Sequence, residues 1–561
     1  MPGLALRVFE SVRKENMFGK TFCKPVNLYT YDPSTDVYTL AGTFNGTKAQ
    51  LNEETARAST FTQQYSLSYD NLFNDHRVSA MALFEIINTS ATNLRAGRKN
   101  FLTSSIEEMF AGSSEGMTND GTSSEMGRES FIARVNYSYK DKYLFQGIFR
   151  ADASAKFPPG KRWGYFPSVS VGWVISKENF MREAEFMDNL KIRASYGQSG
   201  NDGVGNFQYL AGYNLGHFII LDGEPSQGLV SRGIANPNLT WERVKIANVG
   251  IDFSFWNRAL YGEVDGFYRK RTGIPGTRLA SLPSSFGAGL PAENLNSLDN
   301  RGFELRVGTA GFWEGLTYDV SANISWTRSK WTYLEEADET DPDRRRIYLS
   351  TGRWTDVQFG YLSDGLFKSM DEILDAPIYE SLGGNASLRP GDVKYKDIND
   401  DGIINWRDQV EIGQGGTPHW MYGFNINLAY KGFDLSALFQ GAFGYNQFVQ
   451  SDNYSTTLYK NRWTEDNPDA EFARLGGAES NKWFSDFYSK RAGYLRLKTA
   501  SVGYNLPAKI LHKIRLSAVR IYFSGTNLFT INRLAKYGID PEAANVGCYY
   551  PQQRTLSVGL N

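Results

Sequence analysis

The 561-residue chain carries 60 Lys and Arg against 61 Asp and Glu, a net charge of −1 that excludes both a polycationic nucleic-acid grip and an acidic, disordered solvating chain. Aromatic residues make up 14% and glycines number 55, a mixture suited to strands joined by many turns. Two cysteines and four scattered histidines supply neither a disulfide framework nor a zinc spacing, and no stretch approaches the roughly 20 apolar residues of a membrane-crossing helix.

In chain order, the first expected strand covers 4–12. At 131–139, Phe131, Ala133, Val135, Tyr137 and Tyr139 occupy alternate positions. Leu190, Ile192, Ala194 and Tyr196 then alternate with Lys191, Arg193 and Ser195, and segments 247–255, 260–268 and 303–307 repeat the pattern. From 316 to 326 the set Leu316, Tyr318, Val320, Ala322, Ile324 and Trp326 is interleaved with Thr317, Asp319, Ser321, Asn323 and Ser325, a period of two. Tyr422, Phe424, Ile426, Leu428 and Tyr430 follow, then 433–439 and finally 554–560. About sixteen strands are expected in all.

Alternation alone fits a soluble sandwich as well as a membrane wall. Two features favour the wall. Several strands reach the roughly 9 to 11 residues needed to cross a bilayer at a tilt. Connections are also unequal: short at 140–142, 257–258 and 431–432, long at about 88–127, 331–417 and 447–491. Short turns on one rim and long loops on the other mark an outer-membrane barrel, with strand-end aromatics such as Tyr139, Tyr143, Trp326, Tyr430 and Phe433 at the headgroups. The expected fold is all-β, a transmembrane antiparallel β-barrel. Charged residues alternating with the apolar set, namely Lys191, Arg193, Glu263, Asp265, Glu304, Arg306, Arg496 and Lys498, are expected to face its lumen.

The block NYSYKDKYLFQGIFRADASAKFPPGKRWGYFPSVSVGWVISKENFM at 136–181 resembles the SusC/RagA family of TonB-dependent outer-membrane transporters. LKIRASYGQSGNDGVGNFQY, NPNLTWERVKIANVGIDFSFWN, NRGFELRV, YGFNINLAYKGFDLSALFQGAFG and VRIYFSGTNLFTI follow in that family's order. The resemblance implies that residues 1–561 are the C-terminal part of a barrel of twenty-two strands, with signal peptide, plug, TonB box and first strands lying outside it. It further implies integral residence in the outer membrane and TonB-dependent uptake of an oligosaccharide or peptide, with a SusD-like surface lipoprotein as lid. Outer-membrane lipid would be a further partner; nucleic acid would not. A surface-binding module or adhesin that uses the barrel only as an anchor is the alternative.

Two constellations sit in the long loops. Asp397, Asn399, Asp401 and Asp408 place oxygen side chains at positions 1, 3, 5 and 12 of a loop with Gly402 at position 6, the order by which a calcium loop wraps a hard cation, and the Ile403 carbonyl would occupy position 7. The same residues also form a simple Asx-rich turn without an ion. Trp354, Trp420, Trp463, Trp483 and Tyr488 are candidate substrate contacts, since exposed aromatics stack on sugar rings or grip peptide side chains; packing of loop against loop is the competing role. No serine or cysteine lies in a nucleophile motif, and no carboxylate pair has a catalytic arrangement, so no enzyme is expected.

Overall fold

The computed structural model describes residues 3–221, 223–279, 288–449, 456–513, 515–542 and 552–561. One antiparallel sheet of 16 strands runs through them, each strand paired with its successor among these sixteen. The strands are β1 (Leu4–Cys23), β2 (Gln50–Phe73), β3 (His76–Arg98), β4 (Thr118–Tyr139), β5 (Tyr143–Ser154), β6 (Trp163–Val174), β7 (Met187–Asn201) and β8 (Glu242–Phe255). They continue as β9 (Leu260–Thr277), β10 (Ala292–Trp313), β11 (Leu316–Tyr333), β12 (Trp420–Tyr430), β13 (Phe433–Phe443), β14 (Tyr494–Asn505), β15 (Arg520–Asn532) and β16 (Thr555–Leu560).

The tight rim is built from left-handed residues. Lys140 and Asp141 (φ 52° and 50°), Glu314 and Gly315 (46° and 89°), and Lys431 and Gly432 (46° and 90°) each close two strands with both central residues at positive φ. That geometry matches the right-handed twist of the flanking strands. Two connections on the same rim are longer, 175–186 and 506–519.

The opposite rim corrects the sequence reading in three places. The first strand extends to Cys23 rather than stopping near residue 12. The expected 88–127 loop is mostly sheet, because β3 and β4 stay in register up to the Gly97–Thr118 pair, leaving only 99–117 irregular. Asn88, Thr89, Ser90, Thr92 and Asn93 are polar on both faces, so hydropathy alternation fades where the ribbon leaves hydrocarbon, while backbone pairing continues. The connections 24–49 and 202–241, not anticipated as long loops, carry hairpins of their own, Val26–Asp32 with Val37–Phe44 and Tyr213–Leu221 with Glu224–Ser231. The other two long loops run over 334–419 and 444–493, the first shifted by two or three residues from the expected bounds and the second slightly wider.

Register sorts the side chains. Phe303, Trp326, Trp420 and Phe443 are opposite one another along β10 to β13 and share one face. Val249, Ile251, Val264, Phe424 and Val502 are exposed on that face, an apolar surface far beyond what water tolerates on a monomer. It is the hydrocarbon side of the wall. The densest packing lies instead in the long loops, where Phe367, Ile373, Tyr379, Leu388, Val393, Tyr395, Ile404 and Tyr488 form a buried cluster.

Candidate functional site

The face opposite the apolar one carries the charges. Lys191, Asp252, Glu263 and Arg306 stand in one cross-strand row, and Arg193, Gly250, Asp265 and Glu304 in the next. This is the arrangement expected from alternation, with Asp252 as a member the sequence reading omitted, although it occupies an inward slot of the 247–255 segment. Arg193 Nε donates to Asp252 Oδ1 at 2.9 Å, and its Nη1 reaches past β8 to Asp265 Oδ1 at 2.7 Å. Gly250 makes that crossing possible: a methyl group there would lie 2.7 Å from both Arg193 Cζ and Asp265 Oδ1. Lys191 adds a second cation to Asp252 at 3.3 Å. A hollow of about 560 Å³ opens beside this lattice, lined by Arg77, Asn136, Gln146, Lys191 and Arg193 among others.

A second ionic knot gathers at the start of β14. Arg496, almost fully buried, donates to Asp540 Oδ2 at 2.6 Å, to Thr530 Oγ1 at 2.8 Å and to Glu542. Lys498 Nζ lies 3.0 Å from Glu542 Oε2, and the Tyr494 hydroxyl donates to Oε1 at 3.1 Å. The inward placement expected for Arg496 and Lys498 thus ties the wall to the segment that follows β15.

Above the wall the two longest loops fold against each other. Asp392 is the hub, completely buried, and accepts from Arg474 Nε (2.8 Å), Asn481 Nδ2 (2.8 Å), and the backbone N–H groups of Arg389 (2.8 Å) and Ala478 (3.2 Å). The Tyr395 hydroxyl donates to the Ser480 carbonyl at 2.9 Å, and the Tyr379 hydroxyl accepts from the Tyr395 N–H at 2.9 Å. Burial pushes both phenols well above their usual range.

Here three predicted aromatics find their places. Trp483 stacks on Tyr395 with ring centroids 5.4 Å apart and lies 4.7 Å from Tyr361. Trp463 packs against the same cluster, and Tyr488 is only 2% exposed. All three hold loop to loop. Trp420 is not in a loop: it is the first residue of β12, stacked on Phe443 at 5.5 Å on the hydrocarbon face. Trp354 pairs with Lys330 as an isolated antiparallel bridge, on the face it shares with Trp326, and lies under the guanidinium groups of Arg301 (4.8 Å) and Arg328 (4.6 Å). Strand parity turns both rings outward, Trp354 from within the 334–419 loop and Trp420 from beside it at the start of β12.

The Asp397 to Asp408 segment is a closed turn, with Asp400 and Gly402 at φ 58° and 79°. Asp397 accepts from the Gly402 N–H (2.7 Å) and the Asp401 N–H (3.3 Å), and Asp401 accepts from the Ile403 N–H (2.9 Å) and Asn399 Nδ2 (2.9 Å). Asp408, fully buried, takes the N–H groups of Ile398 (2.9 Å) and Asn405 (2.8 Å), capping a short 3-10 turn. Its carboxyl is raised above the usual carboxylate range by burial, and Asp397 and Asp401 nearby add to this. Among the described residues no three His, Cys, Asp or Glu side chains gather at metal-ligand separation. The backbone of the turn is formed; its carboxylates are engaged by N–H groups.

A sheet with one face for hydrocarbon, the other laced with ion pairs, and loops packed over one rim is the wall of an outer-membrane β-barrel. The family described as TonB dependent receptor-like, beta-barrel, matches residues 18–528, and the chain belongs to it. It is 28% identical over 553 residues to TonB-dependent receptor P3 of Formosa agariphila, covering 93% of this chain and 54% of that protein. With TonB-dependent receptor SusC of Bacteroides thetaiotaomicron it shares 28% identity over 459 residues, 77% of this chain and 43% of SusC. The solved RagAB peptide transporter superposes with a TM-score of 0.77 at 20% identity, over 100% of this chain and 60% of its own. The chain thus spans about half the length of the curated relatives it matches. The family is one of outer-membrane receptors, not of enzymes.

Proposed function

We propose that the complete protein imports a hydrated oligomer, an oligosaccharide or a peptide, across the outer membrane, powered by TonB. A SusD-like surface lipoprotein would sit over the loops as lid. The observation that carries this reading is the combination of an ion-paired lumen face with a preformed loop body at its extracellular mouth. Polar groups fixed along a lumen suit a solute that keeps its water, and a packed loop body supplies a rigid rim for a partner. RagAB, the neighbour in fold, is described as a peptide transporter, which supports the peptide branch. The test is uptake of labelled oligosaccharides and peptides by cells with the gene intact or deleted, with and without TonB. TonB-dependent accumulation of one class is the expected result. Surface binding that is indifferent to TonB would overturn import in favour of an adhesin.

For the 397–408 turn we propose a calcium ion held by Asp397, Asn399, Asp401, the Ile403 carbonyl and Asp408. The donor set is all hard oxygen, and the three carboxylates belong to one closed turn, with Asp397 and Asp401 holding its N–H groups and Asp408 buried beneath it. Asp397, Asp401 and Asp408 would turn a lone pair inward, and the ion would stiffen the loop body. Equal melting of that body in calcium and in chelator would refute it.

A further inference from the structure

On the hydrocarbon side, above the aromatic row of Phe303, Trp326 and Trp420, two further cross-strand rows change character. The first runs Ala247, Tyr268, Arg301, Arg328 across β8 to β11; the second runs Lys245, Lys270, Asp299, Lys330. Five cations therefore stand on four adjacent strands, within a span of about 15 Å at the usual strand spacing. They lie towards the loop-bearing rim, beyond the last apolar residues.

Among the described residues Lys245, Lys270, Arg301 and Lys330 form no ion pair with a carboxylate. Arg328 alone of the five has a carboxylate within the 4.0 Å ion-pair limit, Asp356 at 3.0 Å. Asp299 is engaged by the Tyr268 hydroxyl. Five positive charges face two carboxylates, whereas on the lumen side of the same strands cations and carboxylates alternate and Asp252 and Asp265 are both held by Arg193. Trp354 lies against Arg301 and Arg328, holding the planar guanidinium groups in place at the edge of the membrane. The patch is local: above Phe131 on β4 the outward slots hold Glu129 and Glu125 instead.

A basic cluster at this height, unpaired and outward, is complementary to one thing the outer leaflet presents densely, lipid phosphate. We propose that Lys245, Lys270, Arg301, Arg328 and Lys330 seat the phosphorylated headgroup of an outer-leaflet glycolipid of the lipopolysaccharide type. Guanidinium groups give bidentate contacts to phosphate oxygens, lysines add point charge, and Trp354 fixes the depth. The patch would fasten one side of the wall, β8 to β11, to the lipid surface.

The test uses the full-length receptor in detergent, with phosphorylated lipid A, the same lipid after phosphatase treatment, phosphatidylethanolamine, and inorganic phosphate as probes. The unmutated protein should bind phosphorylated lipid A at least roughly tenfold more tightly than the dephosphorylated lipid or phosphatidylethanolamine, and inorganic phosphate should displace it only weakly. The combined Lys245→Gln, Lys270→Gln, Arg301→Gln and Lys330→Gln variant should lose that preference, while Glu125→Gln with Glu129→Gln should keep it. Heat-modified gel mobility verifies folding, and the comparison of lipids on the unmutated protein needs no variant. Equal binding of phosphorylated and dephosphorylated lipid, a retained preference in the folded quadruple variant, or full displacement by inorganic phosphate would each overturn the assignment.

Discussion

Replacing Asp392 by alanine tests whether the extracellular loops fold as one body. The carboxylate is fully buried and serves Arg474, Asn481 and two backbone N–H groups. Removing it leaves a guanidinium and three further N–H donors, two of them buried, without their acceptor. Breaking a buried ion pair from one side costs about 3–5 kcal/mol, and because Arg474 is 23% exposed the lower end, about 3 kcal/mol, applies. At ~1.4 kcal/mol per factor of ten, local opening of the loop body becomes roughly a hundredfold more frequent. The barrel wall shares none of these bonds and keeps its stability. Limited proteolysis of the full-length receptor under native conditions reads the difference: cleavage within 334–419 or 444–493 should accelerate by about that factor, with the wall fragments intact. Cleavage rates within threefold of the unmutated protein would refute the hub, because then the two loops do not depend on a common centre.

Arg496→Ala should release the segment after β15, seen as faster hydrogen exchange at 533–542, with Arg496→Lys milder because a single ammonium still reaches Glu542. Gly250→Ala should disconnect Arg193 from Asp265, since the added methyl would stand 2.7 Å from both, and the altered ion pairing is measurable as changed single-channel conductance of the lumen. Trp483→Ala should destabilise the loop body by roughly 2–4 kcal/mol, whereas Trp420→Ala should leave loop proteolysis unchanged and weaken anchoring in lipid. The Asp408 carboxyl, raised above its unfolded value, holds its proton more readily in the folded loop. Without an ion, stability of the loop body should therefore fall as pH rises from the unfolded carboxylate range through the raised folded value. Added calcium should stabilise most above that value, read by melting of the loop body at several pH values with calcium or chelator.

Much of the wall was readable because period two is imposed by physics on both sides of a membrane sheet. Lys191, Arg193, Asp265 and Arg306 announced their inward face by sitting between apolar neighbours, and the register bears this out. Reading failed where that pressure ends. The upper part of β3 and β4 has water on both faces, so Ser, Thr and Asn there look like loop while the backbone remains paired. The aromatics kept two roles open for another reason. Trp463, Trp483 and Tyr488 lie in segments without period, where composition marks a loop but cannot say whether a ring faces outward or into a core shared with a distant segment. Trp354 and Trp420 required strand parity on either side of the connection 334–419, which the Lys330–Trp354 bridge reveals for the first and the Trp326–Trp420 pair for the second. Asp392 had no local signal, since its partners are more than 80 residues away in sequence, apart from Arg389.

The height of the first ribbons has an effect on what a solute experiences. β3 contains 23 residues and β4 contains 22, so each is about 75 Å long, and a tilt near 40° leaves roughly 55 Å of rise against an apolar band of ~25 Å. About half of that palisade stands in water. Ionic screening fades charge over about 8 Å at physiological salt. A molecule captured at the crest is thus several screening distances from the lipid phosphates, and the amino acids of the mouth, not the anionic carpet around it, decide which charges are admitted.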